Sequence, residues 1–294
     1  MLRSREEEKR KETGMKEENG AEGAVFQKLE ALQADIRSLG SVAVAFSGGV
    51  DSTFLLKMAH DVLGERAVAI TAISPVVPGR EVQEAKAFCQ EEGIRQIVYT
   101  ADQLASEAFR QNPPDRCYLC KKELFTQFLR IAREEGFAHV LEGSNVDDAA
   151  DYRPGMRAVA ELGIVSPLRR AGMTKAQIRA LSRDMGLPTW KKPSFACLAS
   201  RFVYGEPITK EKLSMVEQAE SLLLAHGFTQ FRVRIHDRLA RIEIMPEDFG
   251  RLMEDGLREQ IVSALKESGF AYVALDLQGY RMGSMNETLK EGAE

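Results

Sequence analysis

Short runs rich in apolar and β-branched residues recur through the first two-thirds of the chain, at Val42–Phe46, Ala67–Ile73, Gln96–Thr100, His139–Glu142 and Ile164–Ser166. Between them, apolar residues repeat with helical spacing near Thr53–Leu63, Arg80–Glu92, Lys121–Glu135 and Thr174–Asp184. Strands alternating with helices in this way predict an α/β fold, a parallel sheet covered by helices on both faces. Pro188, Pro193 and the run Trp190-Lys191-Lys192 break the pattern. From about Ile208 the order changes to a helix (Lys210–His226), two strands (Phe231–Ile235 and Ala240–Met245), a helix (Pro246–Ser268) and a last strand (Tyr272–Leu277). The expected organisation is a charged, disordered tail over 1–23, an α/β domain over 24–187, a linker over 188–207, and a small α+β domain over 208–294.

Composition narrows the class without choosing a function. A chain of 294 residues at 44% hydrophobic content can bury one large core or two smaller ones. A net charge of -4 gives no general attraction to nucleic acid or membrane. No run approaches the roughly eighteen apolar residues that span a bilayer, and the N-terminal charged stretch lacks the apolar core of a signal peptide. Four cysteines in a chain of this size do not make a secreted disulfide scaffold, so the expected compartment is the reducing cytoplasm.

The candidate chemistry begins at Ser47-Gly48-Gly49-Val50-Asp51-Ser52, between the first strand and the first helix. A Gly-Gly turn feeding a helix presents bare backbone N–H groups and the positive end of the helix dipole, a site for phosphate or pyrophosphate. Ser47 and Ser52 add hydroxyls, and Asp51 can hold Mg²⁺. The pattern is neither a Walker A loop nor a GxGxxG loop. It resembles the SGGxDS pyrophosphate loop of enzymes that split ATP into AMP and pyrophosphate; read without that resemblance, it is an ordinary strand–helix turn. Glu142-Gly143-Ser144-Asn145-Val146-Asp147-Asp148 follows the fourth strand on the same sheet edge, where Gly143 allows close approach and Asn145 or the carboxylates can position Mg²⁺ or a ribose. The same residues suit any surface turn. Arg153 and Arg157 reach phosphate or remain solvated. Thr71–Pro78 is the expected adenine side, with Ala72, Ile73 and Val76 as its apolar slot.

Arg116-Cys117-Tyr118-Leu119-Cys120 carries a Cys-x-x-Cys, and Lys192-Pro193-Ser194-Phe195-Ala196-Cys197 carries a further cysteine, whereas Cys89 is expected to pack in a core. A zinc ribbon lacks its second ligand pair, and a dithiol redox pair lacks a thioredoxin-like setting. An iron–sulfur cluster on Cys117, Cys120 and Cys197 leaves one iron open for sulfur. Three unliganded thiols remain the bland alternative.

Taken together, SGGVDS, RCYLCKKELF, EGSNVDDAADYRPG, KPSFACLASRF and the Arg232-Val233-Arg234 strand resemble the LarE family of ATP-dependent sulfur transferases in nickel-pincer cofactor biosynthesis. The likeness runs from about Phe26 to Leu277. SGGVDS alone is shared with NAD synthetases, GMP synthetases and tRNA-thiolating enzymes; the ACLASR segment is more particular. The resemblance implies a PP-loop domain and adenylation of the carboxylates of pyridinium-3,5-biscarboxylic acid mononucleotide, with sulfur then displacing AMP. It implies ATP and Mg²⁺ at Ser47, Gly48, Gly49, Asp51 and Ser52, with Gly143, Asn145 and Lys121 as further nucleotide contacts. It implies substrate phosphate at Arg232, Arg234 and Arg201, with Glu220 nearby. One branch of the family spends a single cysteine, at the position of Cys197, as the sulfur donor; the other holds a [4Fe-4S] cluster on three, and the three here match the second. A homo-oligomer, as large as a hexamer, is also implied. An ammonia-dependent amide synthetase gives the cysteines no role. A tRNA thiolase needs a zinc module or a basic stripe that the sequence lacks, and a nucleotide sensor needs no cysteine beside its loop.

Overall fold

The structure, a computed structural model, describes residues 23–150, 154–193 and 196–286. The tail 1–22, Arg153, Ser194 and Phe195 lie outside the described residues. A helix over 23–39 (α1) opens the fold and buries Leu32 and Ile36. It was not expected; Leu29, Leu32, Ile36 and Leu39 do recur at helical spacing, but the charged run before them obscures the stripe.

Four parallel strands follow: β1 (Val42–Ala45), β2 (Ala67–Ile73), β3 (Gln96–Thr100) and β4 (His139–Leu141), in the order β3-β2-β1-β4. They are connected through α2 (Val50–Leu63), α3 (Gly79–Glu91), α4 (Glu107–Arg110) and α5 (Arg116–Glu134). Both faces are covered, as the unbroken apolar runs predict. Val42 and Val44 point into one core with Leu32, Phe54 and Ile178, while Ala43 points into another with Phe125 and Phe128. The sequence order reverses at β1: β2 and β3 extend to one side, and β4 pairs on the other. Ligands in open parallel sheets bind outside the carboxyl ends of the strands at such a reversal. Here those ends carry the SGGVDS loop, after β1, and the Gly143 loop, after β4.

The rest of the first domain comprises α6 (Gly155–Glu161), α7 (Pro167–Arg170) and α8 (Lys175–Asp184). Ile164–Ser166, expected as a strand, makes only a single parallel bridge from Val165 to Leu141. Pro167 and a short helix follow at once and leave no length for a ladder. The helix expected at Lys121 begins at Arg116, after Pro113-Pro114-Asp115, so the Cys-x-x-Cys occupies its first turns.

The C-terminal domain contains α9 (Lys210–Ala225), β5 (Phe231–His236), β6 (Leu239–Ile244), α10 (Phe249–Leu252), α11 (Leu257–Glu267) and β7 (Tyr272–Leu275). Its sheet runs β5-β6-β7, antiparallel then parallel. The single helix expected over Pro246–Ser268 is divided at Glu254-Asp255-Gly256. Much of the expected linker is packed. Leu198, Ala199 and Phe202 lie in one core with Val233 and Ile235, and Phe202 bridges to Ile235. Val76 and Phe109 enter the same core from the first domain, so the two domains share apolar contacts. Among the described residues, no helix is long and apolar enough to cross a membrane.

Candidate active site

β1 delivers the chain into Ser47-Gly48-Gly49, and α2 starts at Val50. Gly48 has φ +69, a left-handed conformation that favours glycine. Gly49, the N-cap, offers no side chain to the first turn, so the leading N–H groups of a 14-residue helix lack the usual capping oxygen. Ser52 Oγ donates to Gly49 O at 3.1 Å and lies 3.1 Å from Ser47 Oγ, which fixes the turn. The Gly143 loop is pressed against it. A Cβ at Gly143 would stand 3.1 Å from Ser52 N and 3.2 Å from the Asp51 carbonyl carbon, so only glycine lets the two loops close together. Asn145 is buried and shapes its own loop, accepting from Asp147 N at 2.9 Å while its backbone N–H donates to Asp148 Oδ2 at 3.0 Å.

The loops form one wall of a cleft of about 420 Å³. Ser47, Gly49, Asp51, Ser52 and Gly143 line it, as do Lys121 and Cys197. On the expected adenine side Thr71 and Ala72 face the cleft, backed by Phe125 and Phe128. Ile73 and Val76 do not face it: Ile73 is exposed beyond the sheet edge, and Val76 enters the shared core. Arg157 stacks on the Tyr118 ring, 3.5 Å from its centroid, away from the cleft.

Two cationic side chains in the cleft were not singled out from the sequence. Lys175, first residue of α8, donates to Asp51 Oδ2 at 2.5 Å. Lys192 donates to Gly48 O at 3.0 Å and pairs with Glu81 and Glu84, each at 2.6 Å. A lone lysine at a helix start or in a Pro-rich stretch carries no spacing signal; only the tertiary fold brings these two to the loop. Burial pushes the Asp51 carboxyl above its usual range, against the opposing pull of Lys175, and the nearby Asp148 adds to the upward push. Asp51 Oδ1 is buried and accepts no hydrogen bond of ordinary geometry among the described residues, although the nearby Asn145 side chain favours the charged carboxylate.

Cys117 and Cys120 lie one turn apart on α5, and Cys197 precedes a short 3₁₀ turn, Leu198–Arg201. The fold brings them within electrostatic reach of one another. Burial raises the Cys117 thiol, and the Cys197 charge raises it further. Burial pushes Cys120 up to about 12, with Cys197 and Cys117 adding to the effect. Among the described residues, no group of three or more His, Cys, Asp or Glu is arranged to hold a single metal ion. Cys89 packs in the first core, as expected.

The three arginines lie together behind Cys197, all buried. Arg201 places two nitrogens on Glu220, at 2.8 and 2.7 Å, and a third on the carbonyls of Ala196 and Cys197. All three of its guanidinium nitrogens thus have protein acceptors. Arg234 places two nitrogens on Glu243 and donates to Ser200 O at 3.0 Å. Arg232 shares their strand face and lies 5.2 Å over the Tyr280 ring. Burial and the charges of Arg201 and Arg234 pull it down to about 10, although Tyr280 and Glu220 oppose them. Two buried carboxylates, Glu220 and Glu243, are packed among the three arginines.

A strand–SGGVDS–helix unit on a parallel sheet, opening on a cleft of about 420 Å³, defines a PP-loop nucleotide protein. The NAD synthase family model matches residues 27–131. Among curated relatives, the chain is 25% identical to the glutamine-hydrolysing GMP synthase of Aeropyrum pernix over 68% of this chain and 42% of that protein. It is 43% identical to an uncharacterised Synechocystis protein, over 89% of this chain and 98% of that one. It is 38% identical to the pyridinium-3,5-bisthiocarboxylic acid mononucleotide synthase of Lactiplantibacillus plantarum, over 89% of this chain and 95% of that enzyme. The chain belongs to the LarE family of ATP-dependent sulfurtransferases, as the motifs implied.

Proposed function

We propose that this chain binds ATP in the cleft and uses it to convert the carboxylates of pyridinium-3,5-biscarboxylic acid mononucleotide to thiocarboxylates, with sulfur delivered at Cys197. The observation that carries this reading is that Cys197 lines the same cleft as the SGGVDS loop. The carboxylate oxygen of the substrate attacks the α-phosphorus of ATP and pyrophosphate leaves. A sulfur nucleophile then attacks the acyl carbon and AMP departs, which is a far better leaving group than oxide. Two rounds give the bisthiocarboxylate.

Ser47, Gly48 and Gly49 with the uncapped start of α2 hold the pyrophosphate as it separates, and Ser52 keeps the turn in shape. Asp51 suits Mg²⁺, because its buried Oδ1 accepts no hydrogen bond of ordinary geometry among the described residues. Lys121 neutralises phosphate from across the cleft. Gly143 and Asn145 keep the second loop against Asp51. In the C-terminal domain, Arg232 receives the substrate's own phosphate beside Arg234, which Glu243, Ser200 and Ser284 hold in place, while Arg201 acts by holding the Cys197 backbone. Cytoplasmic residence and a homo-oligomeric state belong to the same reading.

Cys117, Cys120 and Cys197 fit a [4Fe-4S] cluster. They are three soft donors, Cys117 and Cys120 one turn apart on α5 and Cys197 within electrostatic reach of both, and a cluster bridges wider separations than one ion. When bound, such a cluster would supply an iron able to carry sulfide. A second reading has Cys197 give up its own sulfur; it is favoured by Cys197 lining the cleft while Cys117 and Cys120 do not.

Anaerobic purification with iron and sulfide quantification, and intact mass before and after turnover with ATP and the mononucleotide, separates these. About four irons per chain, lost in Cys117→Ala, with an unchanged mass supports the cluster. An iron-free chain that loses roughly 34 Da, as cysteine becomes dehydroalanine, supports the sacrificial thiol. Absence of pyrophosphate release with the mononucleotide overturns the adenylation itself.

A further inference from the structure

Lys175 is placed with more care than a surface lysine needs. Thr174 and Gln177 form a reciprocal capping box at the start of α8, which fixes the helix end. The Lys175 backbone N–H donates to Asp147 Oδ2 at 2.7 Å, tying the helix to the Gly143 loop. Its ammonium then reaches into the cleft and donates to Asp51 Oδ2. Asp148 faces the same cleft, so two carboxylates and the Lys175 ammonium share a partly desolvated volume whose lining also includes Glu81, Glu142, Lys121 and Lys192.

We propose that Lys175 is the resident counter-cation of the nucleotide-free cleft: its ammonium occupies the place on Asp51 that a divalent cation takes with ATP, and it then passes to the ATP phosphates. This deepens the ATP reading given above and rests on it. A desolvated carboxylate needs a positive partner in both states. Without nucleotide that partner is Lys175. With Mg²⁺ on Asp51 the ammonium loses its partner just as the phosphates arrive, and its flexible four-carbon stem lets it follow them. The side chain is 30% exposed at this position, so water-filled space is open to it. The exchange gives Asp51 a cationic partner in both states and makes ATP and the cation enter together.

The test uses the full chain without nucleotide and Mn²⁺ as the probe, with free Mn²⁺ read by electron paramagnetic resonance. Lys175→Gln removes the competitor, so Mn²⁺ affinity rises about fivefold, the factor equivalent to a half-exposed ion pair. Adding Asp51→Asn abolishes that gain. In parallel, ATP in the presence of Mg²⁺ binds Lys175→Gln about tenfold more weakly, and Lys175→Arg restores most of the loss. A Mn²⁺ affinity in Lys175→Gln that is equal to or weaker than that of the parent, including no measurable binding in either, overturns the proposal. So does tighter Mn²⁺ with unchanged ATP affinity. Pyrophosphate release by the parent and by Asp51→Asn is measured alongside. Release that survives Asp51→Asn removes the ATP reading itself, whereas release lost there with no Mn²⁺ effect in Lys175→Gln removes only the exchange.

Discussion

Replacing Arg201 distinguishes a structural clamp from a phosphate ligand. The Arg201 side chain is wholly buried and that of Glu220 is 2% exposed. Their two parallel hydrogen bonds enclose an ion pair that no water can solvate in place of the partner. Glu220 also accepts from Val233 N at 3.1 Å, so the carboxylate cannot leave without stranding a strand N–H. Arg201→Met keeps the volume and leaves a buried carboxylate unpaired, which costs about 3–5 kcal/mol. At about 2–4 °C per kcal/mol, Tm should fall by roughly 6–20 °C. Glu220→Gln in the same chain removes the stranded charge and keeps an acceptor for Val233, so more than half of the loss should return. Thermal and urea unfolding give the stability. Alkylation of Cys197, followed by mass, gives the local effect, because Arg201 also holds the Ala196 and Cys197 carbonyls. A Tm within about 2 °C of the parent, equivalent to under about 1 kcal/mol, together with a large rise in KM for the mononucleotide, would refute the clamp. Arg201 would then belong with the substrate's phosphate.

Two further outcomes are expected. Gly143→Ala forces a Cβ to within 3.1 Å of Ser52 N, a backbone atom with little room to yield. It should cost about 1–3 kcal/mol of stability and slow pyrophosphate release more than it weakens mononucleotide binding; equal rates in mutant and parent would mean that the loops are not in contact. The metal-free chain should lose stability on the alkaline side. Burial lifts Cys89 from 9.0 and Cys120 from 9.0, each to about 12, so the folded state keeps protons that the unfolded state releases. That contribution is whole below about pH 9 and is lost as pH rises toward 12. Urea midpoints measured across this range should decline less steeply in Cys120→Ala, and an identical slope would contradict the burial of this thiol.

The sheet was legible because its strands are buried on both faces. Val42–Ala45 and Ala67–Ile73 are unbroken apolar runs between glycine- or charge-rich breaks, and their ends could be placed to a residue or so. The SGGVDS loop was legible because phosphate binding uses backbone and small side chains, which leave a local signature. Lys175 and Lys192 were not legible as members of one machinery, and Glu220 was expected near the arginines only from the family resemblance. Each is a charged residue on a helix or in a turn, and its meaning depends on a partner far away in sequence: Lys175 meets Asp51, Lys192 meets Gly48, and Glu220 meets Arg201. Arg232 and Arg234 were correctly placed on one strand face. Alternation alone could not tell that this face is buried and that Glu243 lies opposite on β6.

The position of Cys197 explains why two domains are needed for one reaction. The residues that follow it, Leu198, Ala199 and Phe202, are anchored in the C-terminal core, and Leu198 N also donates to Val76 O of the first domain at 2.8 Å. Arg201, in the same segment, is locked to Glu220 on α9. The thiol is therefore carried by the C-terminal domain and presented to a cleft built by the first. Gly79, at the start of α3, donates to Glu217 of α9 at 2.7 Å, a second tie across the same boundary. An activated acyl-adenylate is open to water as well as to sulfur, so its lifetime must be matched by a nucleophile already in place. On the proposed reading, a sulfur site fixed by the domain that also holds the arginine cluster meets that requirement, because the groups proposed for the substrate's phosphate and for sulfur delivery belong to one packed unit set against the ATP loop.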